Sequence, residues 1–575
     1  MVKTYSTNST PVFAALFDEL GITKLFNELV DWDETQCKID PGRRAKALAI
    51  NILDCRKPLY KVEEYYKHKD ISNLIGADVN ASDLNDDCFA NFFDMFHEAD
   101  PLKVISQILL NAVKLEDVEI DSLHNDTTSW SVCGDYGDEV INDKFPFVIN
   151  KGYSKDHRPD LNQFKFGLGV TKDKFPVCAQ VISGSCDDNT WNKNLLSQID
   201  EIMDIQYLKD LIYVADCKFV TKANLKKIKE KNEELGTNIK FISRFPGNFN
   251  LRDELINRAC NKKEDQWDNV GQLAKDKNSS KYKLTSYLRE IENQQYRFIV
   301  VKSSQLKKKK EKSFKNKLDK QKQSLLDKKQ DLEKNEFDSK KKAKKILDDF
   351  IKDNKNEFFP IKTKIIETEK QKKRNKPGPY PKDYEPEYQT IYKLKINIGS
   401  LDEDAFEKEV EKRSCFVLIT SILDEKEFSN EEILKEYKDQ TSVETSFKFI
   451  KDPSFVGPIY LEKPERVRAM AYLVVITYLV YITIERRARL ALTLEEEPLT
   501  IAGNRETFNP TGEAIIETLD LSGLNVIYFP EEDKRELPDN ADIQTVSRIL
   551  DLLDLDLEIY LSNNPYYAKK DCGSG

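Results

Sequence analysis

The sequence is poor in the features that staple, export or anchor a chain. Its ten cysteines, scattered from Cys37 to Cys572, form no CxxC pair and no cluster with the four histidines. Neither a disulfide framework nor a structural zinc site is expected, and the thiols read as reduced and cytosolic. The opening Met-Val-Lys-Thr-Tyr-Ser carries no apolar signal core. Ala469 to Ile484 is almost entirely apolar but falls short of the roughly 20 residues that span a bilayer. Arg466, Arg468, Glu485, Arg486, Arg487 and Arg489 crowd its ends, so a buried core helix is expected and no membrane partner. No period indicates internal repeats. What is present is 575 residues, 33% charged and 39% apolar, with a net charge of -10. That composition describes a soluble globular protein long enough for several domains. Net acidity argues against indiscriminate coating of DNA, but lysines crowd Lys307–Lys345 and Lys372–Lys382, which leaves room for local binding.

The periodicities change along the chain. Residues 1–115 read as a helical N-terminal domain, with examples at Pro11–Leu20 and Arg43–Leu53. From about residue 118 strands take over. Val118–Val132 has room for a central strand with Asp126 inside it, and Phe164–Val170 and Val177–Ile182 follow across the turn Thr171–Lys174. A helix over Thr190–Ile205, a short buried strand Leu211–Ala215 ending at Asp216, a lysine-rich helix Thr221–Asn232 and a strand Ile239–Ser243 complete a mixed α/β sheet begun by a meander. The pattern then breaks. Lys307–Ile351 has neither glycine nor proline, and its leucines at 318, 325 and 332 predict a long helix or helical hairpin. After the stiff basic stretch Lys376–Pro381, strands return at Gln389–Ile396 and Ser414–Thr420.

Three carboxylates stand out. Asp126 lies mid-strand, where a charge is unfavourable unless paired or metal-bound. Asp216 ends the most hydrophobic strand of its region, the edge at which α/β sheets place their sites. Glu444 lies in Tyr437-Lys-Asp-Gln-Thr-Ser-Val-Glu444-Thr-Ser-Phe447-Lys-Phe-Ile-Lys451, where Val443, Phe447 and Ile450 form a core stripe of helical period. On the same reading Tyr437, Gln440, Glu444, Lys448 and Lys451 share another face of one helix. Singly, each acid also reads as an ordinary strand end, N-cap or solvated helix face. Together they suggest a divalent-metal site of the kind used in phosphodiester chemistry. Asp121 competes with Asp126 as the first acid.

At these blocks the chain resembles the DDE-class insertion-sequence transposases with an RNase H-like catalytic core, in the branch whose third acid lies in a Y-x2-R-x3-E-x6-K signature. Tyr437, Glu444 and Lys451 occupy its tyrosine, glutamate and lysine, and Gln440 stands where relatives carry arginine. His124-Asn-Asp126-Thr-Thr-Ser resembles the first-acid strand, Gly152–Asp160 the loop after it, Val214-Ala-Asp216 the second acid and Phe241–Pro246 the strand that follows. The resemblance implies an α/β, RNase H-like mixed sheet with flanking helices, interrupted by a large insertion domain and preceded by the helical N-terminal domain. Its segments would be a DNA-end-binding region over 1–115, core parts over 116–246 and 413–495, an insertion over 247–412 and a C-terminal region over 496–575 suited to dimerisation. It implies that Asp126, Asp216 and Glu444 are catalytic and hold two Mg²⁺ ions, which Mn²⁺ could replace. Tyr437, Gln440, Lys448, Lys451, His157, Arg158 and Arg244 become the DNA contacts. The activity implied is cleavage at terminal inverted repeats and strand transfer into target DNA by a synaptic homodimer, cytoplasmic and nucleoid-associated in a prokaryotic host. Gln440 weakens the expected phosphate contact, because an amide has neither the charge nor the fork of a guanidinium. Two other readings remain at this point: a catalytically silent DNA-binding relative, and a scaffold built on the lysine-rich helix. Trp267, inside the insertion, reads chiefly as a packing residue and secondarily as a clamp for a flipped base.

Overall fold

The computed structural model describes residues 2–134, 136, 147–154, 158–273, 279–372, 385–451 and 461–562. The chain forms two compact units. One comprises Met1–Arg244, Thr420–Ile422 and Glu432–Gly575, and the other Phe245–Ile419 and Leu423–Glu431.

In the first unit a central strand, Ser122–Val132, is almost wholly buried. Asn162–Val170 and Pro176–Ser183 follow it as an antiparallel meander on one side. On the other side Ile212–Ala215 and then Lys240–Arg244 join in parallel. Parallel neighbours require crossovers, which Asp188–Ser197 and Lys222–Leu235 supply. Each helix begins on a side-chain cap: Asp187 accepts from the Thr190 amide and Thr221 from that of Asn224. Gly236, at a φ of 65°, ends the second in the left-handed conformation that glycine adopts without strain. The strand order, with the first strand central and the meander and parallel pair on opposite flanks, is the RNase H-like arrangement.

Helices dominate the N-terminal region: Thr10–Glu19, Ile22–Leu29, Pro41–Asp54, Asp86–Glu98 and Pro101–Leu115. Ahead of them, Lys3–Ser6 pairs with Asn525–Phe529, which also pairs with Lys534–Glu536, so the two ends of the chain share one small sheet. The apolar helix runs over Pro464–Leu492. By length and composition it could cross a membrane, but 89% of its most apolar window is buried inside the protein. Its Tyr472 hydroxyl accepts from the Val181 amide at 3.1 Å, fixing the helix against the meander. It is a core helix.

The second unit interrupts the core in sequence. It contains strands Asp268–Gln272, Lys281–Ile291, Gln294–Ser303 and all but the last residue of Cys415–Thr420, and a smaller sheet of Glu336–Phe337, Ile361–Gln371 and Tyr388–Ile398. The lysine-rich stretch forms two helices, Ser304–Glu333 and Lys340–Asp353. Its leucine seam makes no coiled coil. Leu318 and Leu325 pack with Phe314 against Phe359, Phe406 and Val410, whereas Leu332 joins a separate cluster around Ala343, Leu347 and Leu394. Trp267 is buried, with the Lys302 ammonium 5.6 Å from its ring centre.

Candidate active site

The register of the central parallel pair brings two acids together. Asn125 is opposite Ala215, and one residue further along each strand come Asp126 and Asp216. Neighbouring parallel strands lie about 4.8 Å apart, so the two acids occupy neighbouring positions, Asp126 inside its long strand and Asp216 just past the end of the shorter one. Both are half-buried. Asp126 Oδ1 accepts from the Thr127 amide at 2.7 Å and Asp216 Oδ1 from the Lys218 amide at 2.9 Å, which orients each carboxylate. Thr127 is held in turn through a hydrogen bond from its hydroxyl to Asp188. Asp121 is exposed, one residue before the strand.

The third acid arrives on a separate helix. The single helix expected through Tyr437 and Lys451 is two, Asn430–Lys438 and Thr441–Lys451, broken at Asp439 and Gln440. At the break one short polar side chain bonds to nearby backbone and one backbone amide bonds to the carbonyl three residues back, so the helical ladder is interrupted. The Thr441 hydroxyl donates to the Lys438 carbonyl at 3.1 Å, and the Ser442 amide to that of Asp439 at 2.8 Å. The second helix lays Val443, Phe447 and Ile450 into the core and leaves Glu444 and Lys448 exposed. It packs on the Asp126 strand. Gln440, at the break, is buried, and its Nε2 donates to the Asn125 carbonyl at 2.8 Å, directly beside Asp126. That acceptor fixes the orientation of the amide, since the opposite flip would set two oxygens together.

Tyr437 ties the three elements electrostatically. Burial pushes its phenol up to about 12, with Asp216 and Glu444 adding to the rise and Arg244 opposing it. One hydroxyl is therefore within the field of the second acid, the third acid and an arginine at the end of the last core strand.

The sequence matches the transposase DDE domain family over residues 123–480, well over half of the chain. The chain belongs to that family. Residues 2–110 match a domain of unknown function, DUF4277. No curated protein matches this sequence. Among solved structures, the cryo-EM structure of the piggyBac transposase synaptic complex with hairpin DNA aligns with 84% of this chain and 77% of its own. The two share 9% identity at a TM-score of 0.31.

For a DDE transposase the divalent metal is the general requirement, and the donor chemistry fits. Asp126, Asp216 and Glu444 offer only hard carboxylate oxygens, the set that suits Mg²⁺ or Mn²⁺. Among the described residues no three His, Cys, Asp or Glu side chains are already grouped as a metal cage. The remaining residues of the implied DNA surface differ in placement. Arg244 is exposed at its strand end, Lys448 is exposed and Lys451 half-buried on the glutamate helix. Arg158 is exposed and engaged with Asp160, Nη2 to Oδ2 at 2.8 Å. His157 lies outside the described residues.

Sequence reasoning passed over a buried cluster behind the acids. His124, fully buried two residues before Asp126, places Nε2 3.0 Å from Glu436 Oε1, with the Ser122 hydroxyl 3.3 Å from the same nitrogen. Glu436 is the neighbour of Tyr437, so this contact and the Gln440 bond both tie the two helices to the first-acid strand. No local signal announces a contact between positions 124 and 436. Burial pushes the Glu436 carboxyl up, but the contacts with His124 and Ser122 and the charges of His124 and Lys172 outweigh it and hold the carboxyl below its ordinary value. A depressed carboxyl stabilises the fold above its unfolded value and loses that contribution as pH falls through the folded value. Glu436→Gln is thus expected to cost about 1–3 kcal/mol at pH 7. In urea titrations the gap to the parent should narrow as pH falls below the ordinary carboxylate range; a gap independent of pH would refute the charged contact.

Proposed function

We propose that this chain is a DNA transposase that cleaves at its element's terminal inverted repeats and joins the freed 3′ ends to target DNA, with Asp126, Asp216 and Glu444 as its catalytic carboxylates. The observation that carries the reading is the placement of Asp126 and Asp216 side by side, each one residue past the same register pair of adjacent parallel strands, with the Glu444 helix packed on the first of them. The three carboxylates would hold two Mg²⁺ ions, which when bound favour deprotonation of the attacking oxygen and stabilise the leaving one. The chain's own groups orient the DNA. A Tyr437 hydroxyl held neutral at pH 7 donates a hydrogen bond to a phosphate oxygen, and Arg244, Lys448 and Lys451 supply positive charge beside it. Arg158 reaches DNA only by exchanging Asp160 for a phosphate. Pairing of two ends by a synaptic homodimer, and action in the cytoplasm of a prokaryotic host, belong to the same proposal.

Gln440 takes a different part from the arginine of its relatives. Its amide is spent on the Asn125 carbonyl, so it positions the Glu444 helix against the Asp126 strand and does not grip phosphate. Gln440→Leu, which removes the donor and keeps the bulk, should lower kcat about tenfold or more. The Kd for end DNA should stay within about twofold, and Gln440→Arg, which restores a donor, should recover turnover. Loss of end binding with kcat intact would assign Gln440 to the DNA instead.

The test of the whole reading is cleavage of duplexes carrying the element's own ends, with Mg²⁺, Mn²⁺ or EDTA present. Metal-dependent nicking at the element boundary is expected. End binding with no nicking under any metal would favour the silent DNA-binding relative.

A further inference from the structure

The helix Ser304–Glu333 has a basic half whose lysines form no ion pair among the described residues. Between Lys307 and Lys322 the sequence has nine lysines against two acids, Glu311 and Asp319. From 323 to 333 the balance reverses, with Lys328 and Lys329 against Asp327, Asp331 and Glu333. Lysine-rich helices ordinarily relieve their own repulsion with acids three or four residues away. The helix Lys222–Leu235 does so, through Lys226–Glu230 and Lys229–Glu233. Lys309, Lys312, Lys317 and Lys320 are exposed and have no acidic partner within ion-pair distance among the described residues. The apolar face of the same helix is committed, with Phe314, Leu318 and Leu325 buried in the second unit's core. At 100° per residue Lys309, Lys312 and Lys320 lie on the opposite side and Lys317 on its flank. The helix is thus held rigidly by one face while it presents an unneutralised cationic row on the other. Like charges at helical neighbour spacing cost a few tenths of a kcal/mol per pair, and the sequence keeps them within a chain of net charge -10.

We propose that this row is a binding surface for the phosphate backbone of duplex DNA, independent of sequence and separate from the residues assigned to the reacting end. The shape favours a linear polyanion. The row runs about 16 Å from Lys309 to Lys320, and the furrow between these side chains is walled by one helix, with Ser313 and Asn316 as its other members. A single phosphate or a nucleotide would need a closed pocket, whereas a duplex edge offers successive phosphates to such a row. The surface contributes affinity and salt dependence and reads no bases. It rests on the transposase reading only for the choice of DNA as the polyanion.

The test compares the full chain with a variant carrying Lys309→Gln, Lys312→Gln, Lys317→Gln and Lys320→Gln, and with the same four positions changed to Arg. Binding to a duplex lacking the element's ends is followed against salt concentration. The glutamine variant should bind about tenfold more weakly or worse, with the slope of log K against log salt reduced by about 3–4, from roughly 0.9 per phosphate contact. The arginine variant should match the parent, and Lys226→Gln with Lys229→Gln, whose lysines are already paired, should change little. An unchanged slope in the glutamine variant overturns the proposal. So does a loss confined to an RNA duplex or to vesicles of anionic lipid with DNA binding intact. Parent that cleaves DNA while the glutamine variant binds as tightly would sink the surface and leave the transposase standing. Lost duplex binding in the variant beside a parent that never cleaves would do the reverse.

Discussion

Alanine at Asp126, Asp216 or Glu444 is expected to abolish metal-dependent cleavage, each by on the order of 10³-fold or more, while binding of end DNA persists. The size follows from shared ligation. Carboxylates that hold the same ions act as a unit, so losing one removes most of what all three provide, and a double alanine variant should be scarcely worse than a single one. Binding persists because affinity for DNA comes chiefly from phosphate contacts by cations, and the acids oppose those contacts electrostatically. Single-turnover cleavage and gel-shift titration of the same proteins separate the two effects. Retained cleavage in Glu444→Ala would remove the glutamate helix from the site, and retained cleavage in Asp126→Ala would reopen the claim of Asp121.

The second large effect is structural and lies away from the site. Arg535, 5% exposed, extends Nε to Asp70 Oδ2 at 2.6 Å and Nη2 to the Ser72 hydroxyl at 2.7 Å. Asp70 is 2% exposed and also caps the short helix Ile71–Leu74 by accepting from the Asn73 amide. The guanidinium stacks over the Tyr528 ring, with 4.7 Å from its central carbon to the ring centre. The pair joins the N-terminal helices to a strand contributed from near the other end of the chain. Arg535→Ala would strand a buried carboxylate without a counter-charge and is expected to cost about 3–5 kcal/mol. Arg535→Met combined with Asp70→Leu should recover much of that loss, because replacing both charges also removes the desolvation penalty. Urea unfolding of the three proteins checks this. A double variant as unstable as Arg535→Ala would mean that packing, not charge, makes the contribution.

Much of the architecture was legible before any coordinates. The strands expected at Phe164–Val170, Val177–Ile182 and Leu211–Ala215 are present as Asn162–Val170, Pro176–Ser183 and Ile212–Ala215, and the apolar stripe Val443, Phe447 and Ile450 lies on a helix, Thr441–Lys451. These are local signals, set by which side chains a half-buried or fully buried element must present. The errors were local too. Thr190–Ile205 read as one helix is three short pieces, Asp188–Ser197, Ile199–Ile202 and Ile205–Leu208. The helix through Tyr437 divides at Asp439 and Gln440. Hydrophobic spacing survives such interruptions, so period alone does not reveal them.

The succession of strands and helices, the family, and the three acids that the motifs single out can all be read from the order of residues alone. Periodicity and motif spacing are properties of neighbouring residues, and they are complete in the chain. Strand pairing and helix packing bring Asp126 and Asp216 to neighbouring positions past one register pair, set Tyr437 in the field of Asp216, Glu444 and Arg244, and tie Gln440 and Glu436 to the first-acid strand. Those relations join residues separated by tens to hundreds of positions. Their distances are set by strand pairing and helix packing, which act on the whole fold and leave no mark in any local window of sequence.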